Sequence, residues 1–477
     1  MIDQLPPLDQ LSSEQKDKLI IELFSLVPLV KELKLRILEL ENEVAELKAK
    51  LNRNSRNSHM PPSKDGFRKP KNLRAKSGRP TGGQSGHTGR TLQESDRPDR
   101  QIRHLIKRCP HCSSSLEEVN CLTWKKAQVF DIAELKIEVD EYLIEEKLCP
   151  HCQRFCRSSL PEGLKFGTQY GPRIRALATY LHNYHYIASN RVVEFFQDIF
   201  NHTLSEGTVF NAEHTCFANL RRFEKLLKNA LRNCSVAHAD ETGLRVAGKG
   251  HWLHVFSTQR SSYFSIHRKR GKEAIEEINI LPHFKGTLVH DHFKIYFKYG
   301  FDHALCNAHH LRELQSVFES TGHLWAVKMQ ELLKTIKKDK ETGKLSVANV
   351  KAYSKEYDAI VHLGYYQQRE RSPPKISSYP KEICLLDRLR HYKTQTLLFM
   401  NREDVPFDNN QAERDIRMMK LKMKISGCFR SPRWTKVFCL IRSYISTIKK
   451  NGMAVFQSLV DVFNQLSPAF LNTLQFS

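Results

Sequence analysis

The sequence predicts a multidomain α+β protein. Three observations lead there: an apolar seam of heptad spacing near the amino terminus, a repeated Cys-Pro-His-Cys motif ahead of a helical stretch, and a run of strand-like segments of which two end in an acid. A chain of 477 residues has room for about two to four cores. The divisions are expected at 1–52, 53–108, 109–165, 166–232, 233–445 and 446–477. The fifth carries a helical insertion at about 315–400, and the last is a helical tail.

In the first segment Val30, Leu33, Ile37, Leu40, Val44, Leu47 and Leu51 alternate steps of three and four, with Glu and Lys outside them and Pro28 near the start. Such a stripe packs either on its own protein or on a second copy of itself, as a leucine zipper. The second copy is favoured, because the helix leads into a segment that offers it little to pack against. From Asn52 to Arg108, Asn, Ser, Pro and Gly dominate and Arg and Lys are interspersed. The stretch is too polar and broken for a core, which predicts a flexible basic arm suited to phosphates or simply a solvated linker.

Cys109/Cys112 and Cys149/Cys152 follow. Two residues between thiols let both sulfurs of a tight turn reach one ion, and two such knuckles supply a tetrahedral Cys₄ zinc site. Residues 113–148 fit a hairpin that brings the knuckles together, and His111 and His151 are spare candidates. A closed Cys₄ site has no open position, so this zinc builds structure and does no chemistry. Reduced surface thiols are the alternative. Cys216, Cys234, Cys384, Cys428 and Cys439 have no disulfide-scaffold spacing, which fits a reducing cytosol.

Charge points to the partner. Seventy-five Lys and Arg against 52 Asp and Glu leave +23, an excess that suits a polyanion. A membrane surface competes for that role, but no run nears the roughly 18 apolar residues of a membrane span and no signal peptide is evident. Residues 170–232 read as helices. Ser189 caps a helix over 190–200, Asn201-His202-Thr203 turns, and Ser205 caps the next, an arrangement suggesting a helix-turn-helix that contacts DNA.

At Val236 the period changes. Val236, His238 and Asp240 share one face of a strand that ends at Asp240, with Glu241-Thr242-Gly243 turning away. His251–Ser257 and Ser262–His267 are two further strands, Lys272–Ile278 a helix, and Thr287 to Asp291 a strand ending in an acid. Strand-strand-strand-helix-strand with acids ending the first and fourth strands opens an RNase H-like fold. A third acid is expected from a later helix capped by Asp408, with Glu413 in its second turn. Arg414, Arg417, Lys420, Lys422 and Lys424 follow it and suit phosphates. Three carboxylates holding two Mg²⁺ (or Mn²⁺) ions suit phosphodiester chemistry: one ion activates the attacking hydroxyl and the other stabilises the leaving oxygen.

With His238-Ala239-Asp240-Glu241-Thr242, Cys306-Asn307-Ala308-His309-His310-Leu311-Arg312-Glu313-Leu314 and Asn409-Asn410-Gln411-Ala412-Glu413-Arg414-Asp415-Ile416-Arg417 in view, the chain resembles bacterial transposases of the insertion sequence 66 family, in the DDE superfamily. Zipper, arm, double knuckle and helical region follow in the family's order. The resemblance implies that Asp240, Asp291 and Glu413 are the catalytic, metal-holding triad. It also implies recognition of terminal inverted repeats, cleavage to expose 3′-hydroxyls, and joining to target DNA. The zinc module, helical region and arm would read the ends, and the zipper would pair protomers into a dimer or larger complex in the bacterial cytosol or nucleoid, with element-encoded helper proteins as further candidate partners. Two positions depart from the commoner pattern: His292 stands where Gly often follows the second acid, and Gly243 where Pro is frequent.

Rival readings attach to the same residues. A catalytically silent DNA-binding regulator would need none of the three acids, and an RNase H-like nuclease would cleave without joining. His238, His290 and His292 raise a His/Asp metallohydrolase, for which no familiar ligand set is complete. Cys306 and His309 match a Cys-x-x-His feature of many DDE transposases and are expected to stabilise local packing. Gly243-x₄-Gly248-Lys249-Gly250 nearly spells a phosphate loop, but it lacks the Ser or Thr that holds Mg²⁺ and is better explained by a hairpin turn.

Overall fold

The computed structural model describes residues 11–51, 86, 91–369 and 381–466, so most of the basic arm lies outside the described residues. The chain divides into two compact units, one of 69–165 with 194–204 and one of the remainder.

Helix α1 (Ser13–Leu51) starts well before Pro28, which sits inside it and not near its start. Its first turn is closed by a capping box: Gln15 N donates to Ser12 Oγ at 3.3 Å and Ser12 N to Gln15 Oε1 at 3.0 Å. The seam residues are exposed, from 45% at Leu40 to 84% at Leu51, so no described residue buries this face.

In the smaller unit, β1 (Glu146–Leu148) and β2 (Phe155–Arg157) pair antiparallel around the second knuckle, with Lys147 opposite Cys156. The hairpin expected over 113–148 does not form; the ordered pairing near the first knuckle is a single bridge, Arg108 to Ser115. Nearly every residue of that stretch is exposed, so no buried face holds two strands in register.

The larger unit is built on a five-stranded sheet. Before it come α2 (Pro172–Thr179), a π-helical turn at Tyr180–Tyr184, α3 (Ser189–Phe200, whose residues from Glu194 belong to the smaller unit), α4 (Glu206–Asn219) and α5 (Arg221–Asn233). Ser205 caps α4 as expected, its Oγ accepting from Thr208 N. Then follow β3 (Val236–Val246), β4 (Lys249–Ser257), β5 (Ser262–His267), α6 (Lys272–Ile278), β6 (Thr287–His290) and β7 (Asp302–Leu305). The spatial order is β5-β4-β3-β6-β7, with β3, β4 and β5 antiparallel and β6 and β7 parallel to β3. Ala247 (φ 49°) and Gly248 (φ 75°) make the two-residue β3–β4 turn, so the near phosphate loop is a hairpin. At Gly286 a Cβ would lie 2.3 Å from Cys234 O, and its absence lets β6 enter beside β3.

Helices α7 (Asn307–Thr321), α8 (Leu324–Glu341), α9 (Val347–Arg369), α10 (Lys381–His391), α11 (Lys393–Asn401), α12 (Asn410–Ser426), α13 (Pro432–Lys450) and α14 (Val455–Phe463) complete it. One core gathers Leu227, Ile275, Leu288, Ile441 and Leu459. Helices α2, α4 and α5 of the region expected at 166–232, and α14 of the tail expected at 446–477, therefore share a core with the sheet, and the 445/446 boundary falls inside α13. A second core, with Trp325, Leu333, Tyr357 and Leu386, joins the inserted helices to Val289 and Ala304. A third packs Ile416 and Met419 of α12 on Val246, Leu253 and Val255.

Candidate active site

Asp240 lies within β3, which does not end there: it runs on to Val246 as half of the ribbon with β4. What ends is its other neighbour. The β3–β6 ladder pairs Val236 with Thr287, Ala237 with Leu288 and His238 with Val289; continued by two residues, it sets Asp240 level with Asp291, on the same side of the pleat. Asp291 stands just past the end of β6, where Cys306 N donates to His290 O at 2.9 Å.

Burial raises the Asp240 carboxyl well above the usual carboxylate range, and the charges of Glu241, Asp291 and Glu413 push it further. Its Oδ1 accepts from Glu241 N at 2.8 Å. Asp291 Oδ1 is buried without a hydrogen-bond partner among the described residues. An orphaned oxygen beside other acids fits a hard divalent cation, which would satisfy it and reverse the repulsion, although the carboxylates of Asp240, Asp291 and Glu413 do not all lie within 4.8 Å of one another.

Glu413 sits in the first turn of α12, one turn earlier than expected. The helix is capped by Asn409, while Asp408 Oδ1 accepts from Asn410 N at 3.0 Å. Asn409 explains how a residue distant in sequence reaches β3. It is 1% exposed; its Nδ2 donates to Ala239 O at 2.8 Å, its Oδ1 accepts from His238 Nδ1 at 2.9 Å, and its backbone N donates to Cys306 Sγ at 3.1 Å. Farther along, Asp415 accepts from Ser262 Oγ at 2.9 Å and pairs with Lys450 Nζ at 2.8 Å, which holds the helix to β5 and α13. Glu413 Oε1 lies 3.2 Å from Arg312 Nη2 and 3.6 Å from His309 Nε2.

Sequence reasoning missed a fourth acid, Glu241. It is buried on the far face of β3 from Asp240. Its Oε1 accepts from Arg270 Nε at 2.8 Å, and its Oε2 accepts from Tyr296 Oη at 2.7 Å. Arg270 in turn lies over the Phe293 ring at 4.2 Å and the Trp252 ring at 4.9 Å. Burial, with Asp291 nearby, pushes this carboxyl up to about 6 against the opposing pull of Arg270. Its place beside Asp240 was the only signal in the sequence, and the partners that make it a support are distant.

The histidines around Asp291 form a neutral chain. His292 N donates to His290 Nδ1 at 3.2 Å, so His290 carries its proton on Nε2 and gives it toward His303 Nδ1 at 3.1 Å. Burial drives His290 well below the usual histidine range and lowers His292 to about 4. Neutral packed rings, T-shaped on Tyr296, Phe297 and Tyr392, suit a wall better than a metallohydrolase centre.

Of the basic residues after Glu413, Arg414, Arg417, Lys420 and Lys424 are exposed. Lys422 departs from the expectation: it is 7% exposed, faces inward, and has its Nζ 5.8 Å from the Phe438 ring. The 3.6-residue period turns it away from the stripe of the other four.

The two knuckles repeat one geometry. Cys109 N donates to Ser114 O and Ser113 N to Cys109 O, both at 2.9 Å; Cys149 N donates to Arg154 O and Gln153 N to Cys149 O at the same distance. Ser113 and Gln153 are both left-handed, at φ 61° and 55°. The Ser114 hydroxyl and backbone, then Cys109, hold the Cys112 thiol below its usual range, and the backbone of Cys152 and His151 does so for Cys149. Donors aimed at sulfur fit a thiolate–metal turn. The four thiols are not within 4.8 Å of one another, however; among the described residues the group that meets that distance is Cys306, His309 and Glu413.

The site thus joins a mixed sheet, where β3 and β6 part, to the start of a late helix. Residues 167–436 match the model described as "Transposase IS66 family", and the chain belongs to that family. The match spans Asp240, Asp291 and Glu413 and leaves out the knuckles. Residues 3–93 match a second model, "Family of unknown function (DUF6444)", which covers all of α1 and most of the arm. No curated protein matches the chain.

Proposed function

We propose that this transposase cuts and joins DNA strands by two-metal phosphoryl transfer at Asp240, Asp291 and Glu413, on an RNase H-like domain. The observation that carries the reading is the register that sets Asp240 level with Asp291, with the helix that bears Glu413 tied to the same strand through Asn409 and Ala239 O. Two bound Mg²⁺ ions would supply activation of the attacking oxygen and charge relief on the leaving 3′-oxygen.

Asp240 and Asp291, level across two strands, would hold the ions together with Glu413 from the first turn of α12. Asn409 fixes that turn to β3, while Arg270 and Tyr296 keep Glu241 behind the strand and out of the ligand set. In cleavage a water oxygen bonds to phosphorus as the bond to the bridging 3′-oxygen breaks. In joining, the exposed 3′-hydroxyl oxygen would bond to a target phosphorus as that phosphorus loses its own bridging 3′-oxygen, with the hydroxyl proton passing to solvent and the target strand left with a free 3′-hydroxyl. Arg414, Arg417, Lys420 and Lys424 offer an exposed row of charge for the phosphate backbone. The zinc module, helical region and arm read the element ends, and the α1 seam pairs protomers. The same reading assigns the protein to the bacterial cytosol; no described helix is long and apolar enough to cross a membrane.

The test is Asp240→Asn in strand cleavage and in DNA binding. Cleavage is expected to vanish while binding persists; cleavage at the wild-type rate removes the catalytic assignment. Supplying a precut 3′-hydroxyl end with target DNA separates a transposase from an RNase H-like nuclease, since only the former yields joined product.

A further inference from the structure

We infer that Cys306, His309 and Glu413 form a site for a single borderline-soft divalent cation, zinc in the first instance, which shares Glu413 with the acid cluster. Cys306 is the cap of α7 and His309 lies in its first turn, so the two face one point from adjacent positions of one helix end. Glu413 comes from the first turn of α12, brought alongside by the Asn409–Cys306 bond. Sulfur, imidazole nitrogen and carboxylate oxygen all lie within 4.8 Å of one another. Ligands on one zinc sit about 3.5 Å apart, given bonds of roughly 2.0–2.3 Å at tetrahedral angles, so closing the set needs side-chain shifts of about 1 Å.

The donor set chooses the ion. A thiolate and an imidazole suit zinc or cobalt and are poor ligands for magnesium, whereas Asp240 and Asp291 offer oxygen alone. The two ions thus sort by chemistry onto two sides of the same glutamate. Coordination releases the Cys306 thiol proton to solvent against the cost of burial, and the sulfur already accepts from Asn409 N at 3.1 Å. Arg312, 3.2 Å from Glu413, opposes a cation at that carboxylate. Affinity is therefore moderate and the site reversible. Glu413 committed to zinc is withdrawn from the magnesium pair, so zinc restrains strand cleavage.

Zinc binding stands on the geometry alone; its effect on cleavage rests on the catalytic reading of Glu413. The experiment titrates the metal-free full-length protein with Co²⁺, reading the thiolate-to-cobalt charge-transfer band, in wild type, Cys306→Ser and His309→Gln. Wild type is expected to take one cobalt more than Cys306→Ser, and His309→Gln to bind that additional ion at least tenfold more weakly. Equal stoichiometry and equal bands in wild type and Cys306→Ser overturn the site. Because Cys306 is buried, that variant can fail to fold; His309→Gln, at a partly exposed position, then decides, and unchanged cobalt affinity overturns the site equally. In the second arm, zinc added over saturating Mg²⁺ is expected to inhibit cleavage by wild type and to spare His309→Gln. Cobalt binding as expected, with no zinc inhibition, overturns the shared use of Glu413 and its catalytic role, and leaves the metal site standing.

Discussion

Replacing Asn409 by alanine tests how the site is assembled. The side chain makes two buried bonds to β3, to Ala239 O at 2.8 Å and with His238 Nδ1 at 2.9 Å. Alanine strands both partners: Ala239 keeps a carbonyl that water does not reach, and His238 is itself 6% exposed. At about 1–3 kcal/mol for each unsatisfied buried group, the loss is about 2–6 kcal/mol, with a fall in melting temperature of about 3–10 °C. The start of α12 is then released from the strand that carries Asp240, so Glu413 is displaced. A misplacement of about 1 Å can cost on the order of a hundredfold in rate. Thermal unfolding gives the first number; single-turnover cleavage at saturating DNA across a Mg²⁺ titration gives the second. A variant that melts with wild type and keeps its metal dependence would refute this account of the Asn409 latch.

Three further outcomes follow from other parts of the molecule. The Asp240 carboxyl is raised above its unfolded value, so without metal its stability contribution is complete at low pH and is lost as pH rises out of the ordinary carboxylate range. Metal-free Asp240→Asn should therefore melt above wild type at neutral pH and converge with it in acid, and Mg²⁺ should raise wild type more; parallel melting curves across pH would contradict this. Leu33→Asp with Leu40→Asp places charge on the half-exposed α1 seam and should shift sedimentation toward monomer, an outcome that fails if mass is unchanged at every concentration. Cys149→Ser should remove one zinc per chain and sharpen proteolysis across 91–165, and equal zinc content in that variant would dismiss the knuckles as a metal site.

Local signals were legible where local physics decides. The spans of β5 and α6, the Ser205 cap and the β3–β4 turn follow from alternation, capping and left-handed turn residues, which act within a few positions. The level placement of Asp240 and Asp291 was readable as far as two strands ending in acids. What escaped was tertiary. Strand β3 continues past Asp240 because β4 pairs with it to Val246, although its ladder with β6 stops two residues before Asp240. Glu241 looks like a turn residue until Arg270 and Tyr296 close on it. Asn409 reads as a helix-start residue, yet its partners lie 170 and 171 positions away. Residues 113–148 carry alternation enough for a hairpin but no face to bury.

Helix α12 is moored at both ends to a single strand. Asn409 grips Ala239 at its beginning, and past its far end Phe429 exchanges backbone bonds with Arg245 and Ala247 at 3.1 and 2.8 Å. Its 17 residues span about 25 Å and Ala239 to Val246 about 23 Å, so helix and strand run alongside each other like a rail and its sleeper bolts. The helices from α8 to α11 hang between β7 with α7 and this moored rail. Longer loops at the outer ends of that excursion would leave the tie between Asn409 and Ala239 in place, which makes them the natural place for such a protein to acquire new surfaces without retuning its chemistry.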